Sequence, residues 1–169
     1  CLALAMVCMV LALMRPQIGL ETVQQNRTGA AIMIALDVSR SMLASDVVPN
    51  RLERAKAEIN DLLTLLRGDQ VGLIAFAGRA AILAPLTPDF GFIRLALDDA
   101  GPGSVSRGGT RLEEPIRKAV DGFKGVTDAS RSIILITDGE DHESFAREAA
   151  TYAAERGVRS LAIGLGDPG

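Results

Sequence analysis

Residues 31–36 read AIMIAL, six apolar positions without a polar interruption, and Asp37, Val38, Ser39, Arg40 and Ser41 follow. An unbroken apolar run of this length marks a strand buried on both faces, as in the middle of a parallel sheet. Such a strand needs helices above and below it, so the run commits the chain to a layered α/β fold. It ends in oxygen ligands. If extended geometry persists just past the strand, Asp37, Ser39 and Ser41 project to the same side, because side chains two positions apart share a face. One carboxylate and two neutral hydroxyls at the carboxyl end of a buried strand make a hard-cation site, suited to Mg²⁺ far better than to zinc or copper.

The rest of the chain supplies the alternation that such a fold requires. Residues 43–49 read as a loop, and Asn50 as a helix N-cap with Glu53 as its capping-box partner. Leu52, Ala55, Ile59, Leu62, Leu63 and Leu66 follow at helical spacing, and Gly68 is expected to close that helix in the left-handed conformation. Residues 71–75 predict a second buried strand. Gly78 and Arg79 turn it into a third, residues 80–84, as a hairpin at the sheet edge. Thr87-Pro88 predicts the cap of a short helix reaching about Leu97. Residues 98–109, DDAGPGSVSRGG, form a glycine-rich loop of the sort that moves or approaches a ligand closely, and they deliver Thr110. A helix is expected through about Phe123. Pro115 lacks an amide hydrogen, so regular bonding starts no earlier than about Leu112 and leaves the Thr110 hydroxyl available for another partner. Residues 132–137, SIILIT, predict another fully buried strand, running straight into Asp138, Gly139, Glu140 and Asp141. A helix over about 143–156 and a strand over 158–163 complete a doubly wound, mainly parallel sheet with one antiparallel edge strand.

A length of 169 residues, 48% hydrophobic and 23% charged, leaves room for one such domain with a proper core. A net charge of -3, no Trp and one Tyr, without a basic patch among aromatics, give no case for nucleic acid. Both cysteines, Cys1 and Cys8, fall in the leading hydrophobic segment, which excludes a disulfide framework or thiolate metal site in the domain. Residues 1–14 carry no charge but are fewer than the roughly 20 that span a membrane. The chain does not begin with Met, and no small-x-small pattern precedes Arg15-Pro16, so part of a transmembrane helix is expected rather than a signal peptide. Arg15 argues weakly for a cytoplasmic domain. Residues 15–29 read as a linker and 30–169 as the domain.

In open α/β sheets, ligands bind outside the carboxyl ends of strands, where the strand order reverses. The two most apolar strands, ending in Asp37 and Asp138, are expected as neighbours there. Asp37, Ser39, Ser41, Thr110 and Asp138 would then converge as an octahedral oxygen shell for Mg²⁺, with Mn²⁺ or Ca²⁺ as the other hard cations such a shell accepts. Positions remain for water or a partner's oxygen.

In that order these five residues resemble the metal-ion-dependent adhesion site of the von Willebrand factor A domain, D-x-S-x-S, then T, then D. The resemblance implies a Rossmann-like fold in which the serines and threonine bind the metal directly and the aspartates bind directly or through water. It also implies that an Asp or Glu of a protein partner supplies the last ligand. It runs from about Ala30 to the C-terminus, and because the chain stops before the family's sixth strand, the sheet is expected to end on an unprotected edge. The segments DVSRSM, PNRLERAK, GLIAFAG, PLTPD and ITDGEDHE resemble the membrane-anchored Bat, or aerotolerance-type, group. That group implies further membrane-bound Bat proteins and a MoxR-type AAA+ ATPase as associates, a bacterial inner-membrane location and a periplasmic domain. One departure is Arg40, where the commonest form of the motif has Gly. A guanidinium there opposes a cation by Coulomb repulsion but can pair with an acidic partner.

Other readings weigh less. A haloacid-dehalogenase-like phosphotransferase would use Asp37 as nucleophile with Mg²⁺ on the later acids, but Ser39 stands where its second acid belongs. A serine hydrolase lacks a G-x-S-x-G elbow. A structural scaffold with a silent metal site is the third class. Singly, each aspartate is as consistent with a cap and each serine with a turn. His142 reads as a solvated helix-start residue, Glu140 and Asp141 as complements to the following helix dipole, and Asp46 as loop structure. Arg54, Lys56 and Arg67 read as a solvated helix face.

Overall fold

The computed structural model describes residues 29–105, 113–127, 129–138 and 150–165. Its strands are β1 (Ala31–Asp37), β2 (Gln70–Phe76), β3 (Ala80–Thr87), β4 (Arg131–Thr137) and β5 (Val158–Gly164), and its helices α1 (Arg51–Leu65), α2 (Phe90–Asp98) and α3 (Glu113–Gly122). A short 3₁₀ turn, Arg40–Leu43, follows β1, and residues 150–154 are helical. The strands form one sheet in the order β3-β2-β1-β4-β5. β1 lies parallel to both β2 and β4, β4 lies parallel to β5, and β3 runs antiparallel to β2. The apolar run is therefore central, and every one of its residues is buried.

Alternate side chains of β1 feed two cores. Ile32, Ile34, Leu36 and Val38 pack with Leu52, Ala55, Ile59 and Leu63 of α1 and with Ile93 and Leu97 of α2. Ala31, Met33 and Ala35 pack on the opposite side with Ile116 and Ala119 of α3, Phe123 and Ala153. Helices on both faces explain why this strand shows no polar alternation. Met33 faces Gly72 across the ladder, and a Cβ on Gly72 would overlap the Met33 Sδ and stand 3.2 Å from the Ala84 carbonyl oxygen. The glycine is thus a space requirement of the long Met33 side chain.

The chain enters β2 to one side of β1 through α1, continues into the antiparallel edge strand β3, and returns by α2 and α3 to the other side as β4. The strand order reverses between β1 and β4. Their carboxyl ends are therefore the switch point at which doubly wound sheets bind ligands.

Several local expectations need correction. α1 ends at Leu65, and Leu66 is extended (φ -76°, ψ 139°). Gly68 does adopt φ 77°, but in the turn into β2, where the Asp69 carboxylate accepts from the Ala30 and Arg67 amides. Asp89 rather than Thr87-Pro88 caps α2, its Oδ1 accepting from the Gly91 and Phe92 amides, while Thr87 Oγ1 accepts from the Asp89 amide. β3 continues through Pro85 to Thr87, which an edge strand tolerates because no ladder partner needs the missing amide. The Asn50 cap is present, its Oδ1 accepting from the Glu53 amide at 2.8 Å. No helix among the described residues is long and apolar enough to cross a membrane. The expected span over 1–14, residues 15–28 of the expected linker, Thr110 and residues 139–149 lie outside the described residues.

Candidate metal centre

At the end of β1 the ladder stops and the chain turns. Asp37 still pairs with Phe76, and the Val38 amide donates to the Phe76 carbonyl at 2.8 Å. Ser39 remains extended (φ -64°, ψ 165°), and the 3₁₀ turn begins at Arg40, with the Met42 amide donating to the Ser39 carbonyl. Met42 is fully buried and pins this turn against the α1 side of the core. Extended geometry therefore does not persist to Ser41. The turn does what persistence was expected to do: it brings Ser39 Oγ within 2.9 Å of Ser41 Oγ.

Asp37 is wholly buried. Its Oδ1 accepts from the Ser39 amide at 2.8 Å and its Oδ2 from Thr137 Oγ1 at 2.9 Å. Burial pushes its carboxyl above the ordinary value of 3.8, the Ser39 and Thr137 hydrogen bonds pull it back in part, and the nearby Asp138 charge adds to the rise. Asp138 follows the last residue of β4, and its side chain is 2% exposed. Arg51, the first residue of α1, donates from Nη1 to Asp138 Oδ2 at 3.3 Å and holds Asp46 with Nε and Nη2. That hydrogen-bonded guanidinium keeps the Asp46 carboxyl below its ordinary value.

The expected pairing of the strands leading into Asp37 and Asp138 is thus present, and four of the five sequence-derived ligands stand at the carboxyl ends of these two strands. Thr110, the fifth, lies outside the described residues, as do Glu140, Asp141 and His142. Two participants were missed. Thr137 had a readable signal, a hydroxyl at the end of an otherwise apolar strand. Arg51 had none, because its partner Asp138 is 87 positions away. Asp46, read as loop structure, holds that arginine through a forked contact. Arg40 is exposed.

The donor chemistry fits a hard divalent cation. Among the described residues no three His, Cys, Asp or Glu groups cluster as a metal site, so any shell here must draw on hydroxyls. Adjacent oxygens of an octahedral Mg²⁺ shell, with bonds of about 2.1 Å, stand about 3 Å apart. The Ser39 and Ser41 hydroxyls already have that separation.

Comparison with known proteins agrees with this architecture. The profile of the von Willebrand factor type A domain matches residues 32–140. The crystal structure of BatB from Bacteroides thetaiotaomicron is similar with a TM-score of 0.79 and 44% identity, covering 83% of this chain and 68% of that one. An aerotolerance-related membrane protein from Bacteroides fragilis gives 0.78 and 40%, covering 83% and 69%. Proximal thread matrix protein 1 of the mussel byssus, in a structure with a zinc-occupied MIDAS motif, shares the fold at 24% identity and a TM-score of 0.69, over 82% of this chain and 36% of its own. The chain spans about half the length of the curated relatives it matches, among them an uncharacterized protein of Borreliella burgdorferi that is 33% identical over 98% of this chain and 49% of its own. The chain belongs to the von Willebrand factor type A domain family, within the Bat group.

Proposed function

We propose that this domain binds Mg²⁺ at the carboxyl ends of β1 and β4 and uses the ion to recognise an acidic side chain of a protein partner, without catalysing a reaction. Asp37, Ser39, Ser41, Thr110 and Asp138 are the ligands. The observation that carries the reading is the pair of serine hydroxyls 2.9 Å apart beside the buried, hydrogen-bonded Asp37. Neutral hydroxyls leave a bound ion more electrophilic than an all-carboxylate cage does, so an incoming carboxylate gains a strong charge-assisted contact. Zinc in the MIDAS motif of the mussel protein supports a divalent ion at this place in the fold. The choice of Mg²⁺ rests on the oxygen-only donor set.

Membrane association is part of the proposal. The apolar residues 1–14 and the description of the Bacteroides fragilis relative as a membrane protein support a membrane-anchored domain, and its place at the bacterial inner membrane, facing the periplasm, is proposed on the group resemblance alone. Other Bat-type membrane proteins and a MoxR-type AAA+ ATPase are the proposed associates, on the strength of the group resemblance. The phosphotransferase alternative loses ground because Ser39 occupies the place of its general acid.

Calorimetric titration with Mg²⁺ tests the reading. The parent is expected to bind one ion and Asp37→Ala none, whereas equal heats from both would remove the site. Asp37-dependent hydrolysis of a phosphate ester by the parent would transfer the case to the phosphotransferase.

A further inference from the structure

Arg51 is shared between a carboxylate of the metal centre and one outside it. Toward Asp46 its contacts are short and forked: Nε donates to Oδ1 at 2.9 Å and to Oδ2 at 3.0 Å, and Nη2 to Oδ2 at 2.8 Å. Toward Asp138 the contact is longer, Nη1 to Oδ2 at 3.3 Å. The arginine side chain is 14% exposed, against 30% for Asp46 and 2% for Asp138. Its backbone is held as well. The Arg51 amide donates to the Ala44 carbonyl across the loop, and the Asn50 cap fixes the start of α1 beside it. The backbone is thus fixed at Arg51, and the guanidinium cannot swing away without breaking the fork on Asp46.

We propose that Arg51 is a positioning residue that sets how tightly the centre holds its cation, and that Asp46 governs it by drawing the guanidinium off Asp138. The inference rests on the metal reading of the site. A guanidinium and a divalent ion compete for the same Asp138 lone pairs and repel each other. At a contact this little exposed, water screens that repulsion poorly. The two-pronged bond to Asp46 is the stronger claim on the arginine, because forked arginine–carboxylate geometry outweighs a single long contact. Asp46 thus protects the metal site without touching it.

The test is Mg²⁺ titration of the full chain and of Arg51→Met, Asp46→Asn and the double variant, with metal-free melting temperatures measured alongside. Arg51→Met is expected to bind Mg²⁺ about tenfold more tightly and Asp46→Asn about threefold more weakly. The double variant is expected to match Arg51→Met, because Asp46 acts only through Arg51. A purely structural anchor would move both single variants in the same direction, together with their melting temperatures, and that result overturns the proposal. If Arg51→Met does not fold, Asp46→Asn decides alone: unchanged Mg²⁺ affinity overturns the proposal. A parent that binds no Mg²⁺ removes the metal reading and this inference together. A parent that binds it while Arg51→Met binds no more tightly removes this inference only.

Discussion

Asp37→Asn should invert the stability order of the protein depending on whether metal is present. The substituted carboxamide can keep the Ser39 amide as a donor to its oxygen, and the Thr137 hydroxyl can reverse to accept from the new amide group, so the two hydrogen bonds of Asp37 are retained in neutral form. What disappears is a wholly buried negative charge. Burial raises this carboxyl above its ordinary value, so without metal the ionised form is the costly one in the folded state. A group whose folded pKa is raised contributes stability that is present below the unfolded value and lost as pH rises through the folded value. Metal-free Asp37→Asn is therefore expected to be more stable than the parent at pH 7, and its advantage should vanish in acid, once Asp37 is protonated.

With Mg²⁺ the order reverses. At a hundred times its dissociation constant a ligand stabilises the folded state by about 2.7 kcal/mol, which for a domain of this size raises the melting temperature by roughly 5–10 °C. The parent should show that rise and Asp37→Asn essentially none. Thermal denaturation followed by circular dichroism, with chelator and with saturating Mg²⁺, at pH 7 and pH 4, measures all four combinations. An equal metal-induced rise in parent and variant would refute the ligand assignment, and a metal-free variant less stable than the parent would refute the charge argument.

Three further outcomes follow from the geometry. Gly72→Ala must displace the Met33 Sδ and crowd the Ala84 carbonyl, so chemical denaturation should show a loss of about 1–3 kcal/mol at an unchanged m-value. Thr137→Val deletes the donor to Asp37 Oδ2 and should cost about 1–2 kcal/mol in metal-free denaturation, with Thr137→Ser recovering most of it. Arg40→Gly touches an exposed position, so its melting temperature should stay close to that of the parent while Mg²⁺ affinity rises severalfold and affinity for an acidic partner peptide falls; unchanged affinities for both would remove any role for Arg40.

The parts of the fold that were legible in the sequence are those that a local pattern encodes. A short apolar run with β-branched residues and no alternation reads as a strand covered on both faces, and β1 is such a strand. Helical spacing located α1, and the Asn50 cap placed its first turn correctly. The helix ends were misplaced where two signals competed. Gly68 looked like a terminator, but the helix had already stopped at Leu65, and Asp89 took the capping role expected of Thr87 because its carboxylate reaches two amides at once.

The metal centre divides along the same line. Sequence alone determined which oxygens were available, because Asp37 ends a buried strand, Ser39 and Ser41 follow it at two-residue spacing, and Asp138 directly follows a second apolar strand. Tertiary structure decided how they meet. The 3₁₀ turn at Arg40, rather than continued extension, brought the two serine hydroxyls together. The parallel pairing of β1 with β4 put Thr137 against Asp37 across a hundred positions of sequence. The folding of the loop after β1 placed Arg51 between Asp46 and Asp138. Periodicity reports how a residue is buried within its own element, but an ion pair depends on which elements become neighbours, and only long-range packing decides that.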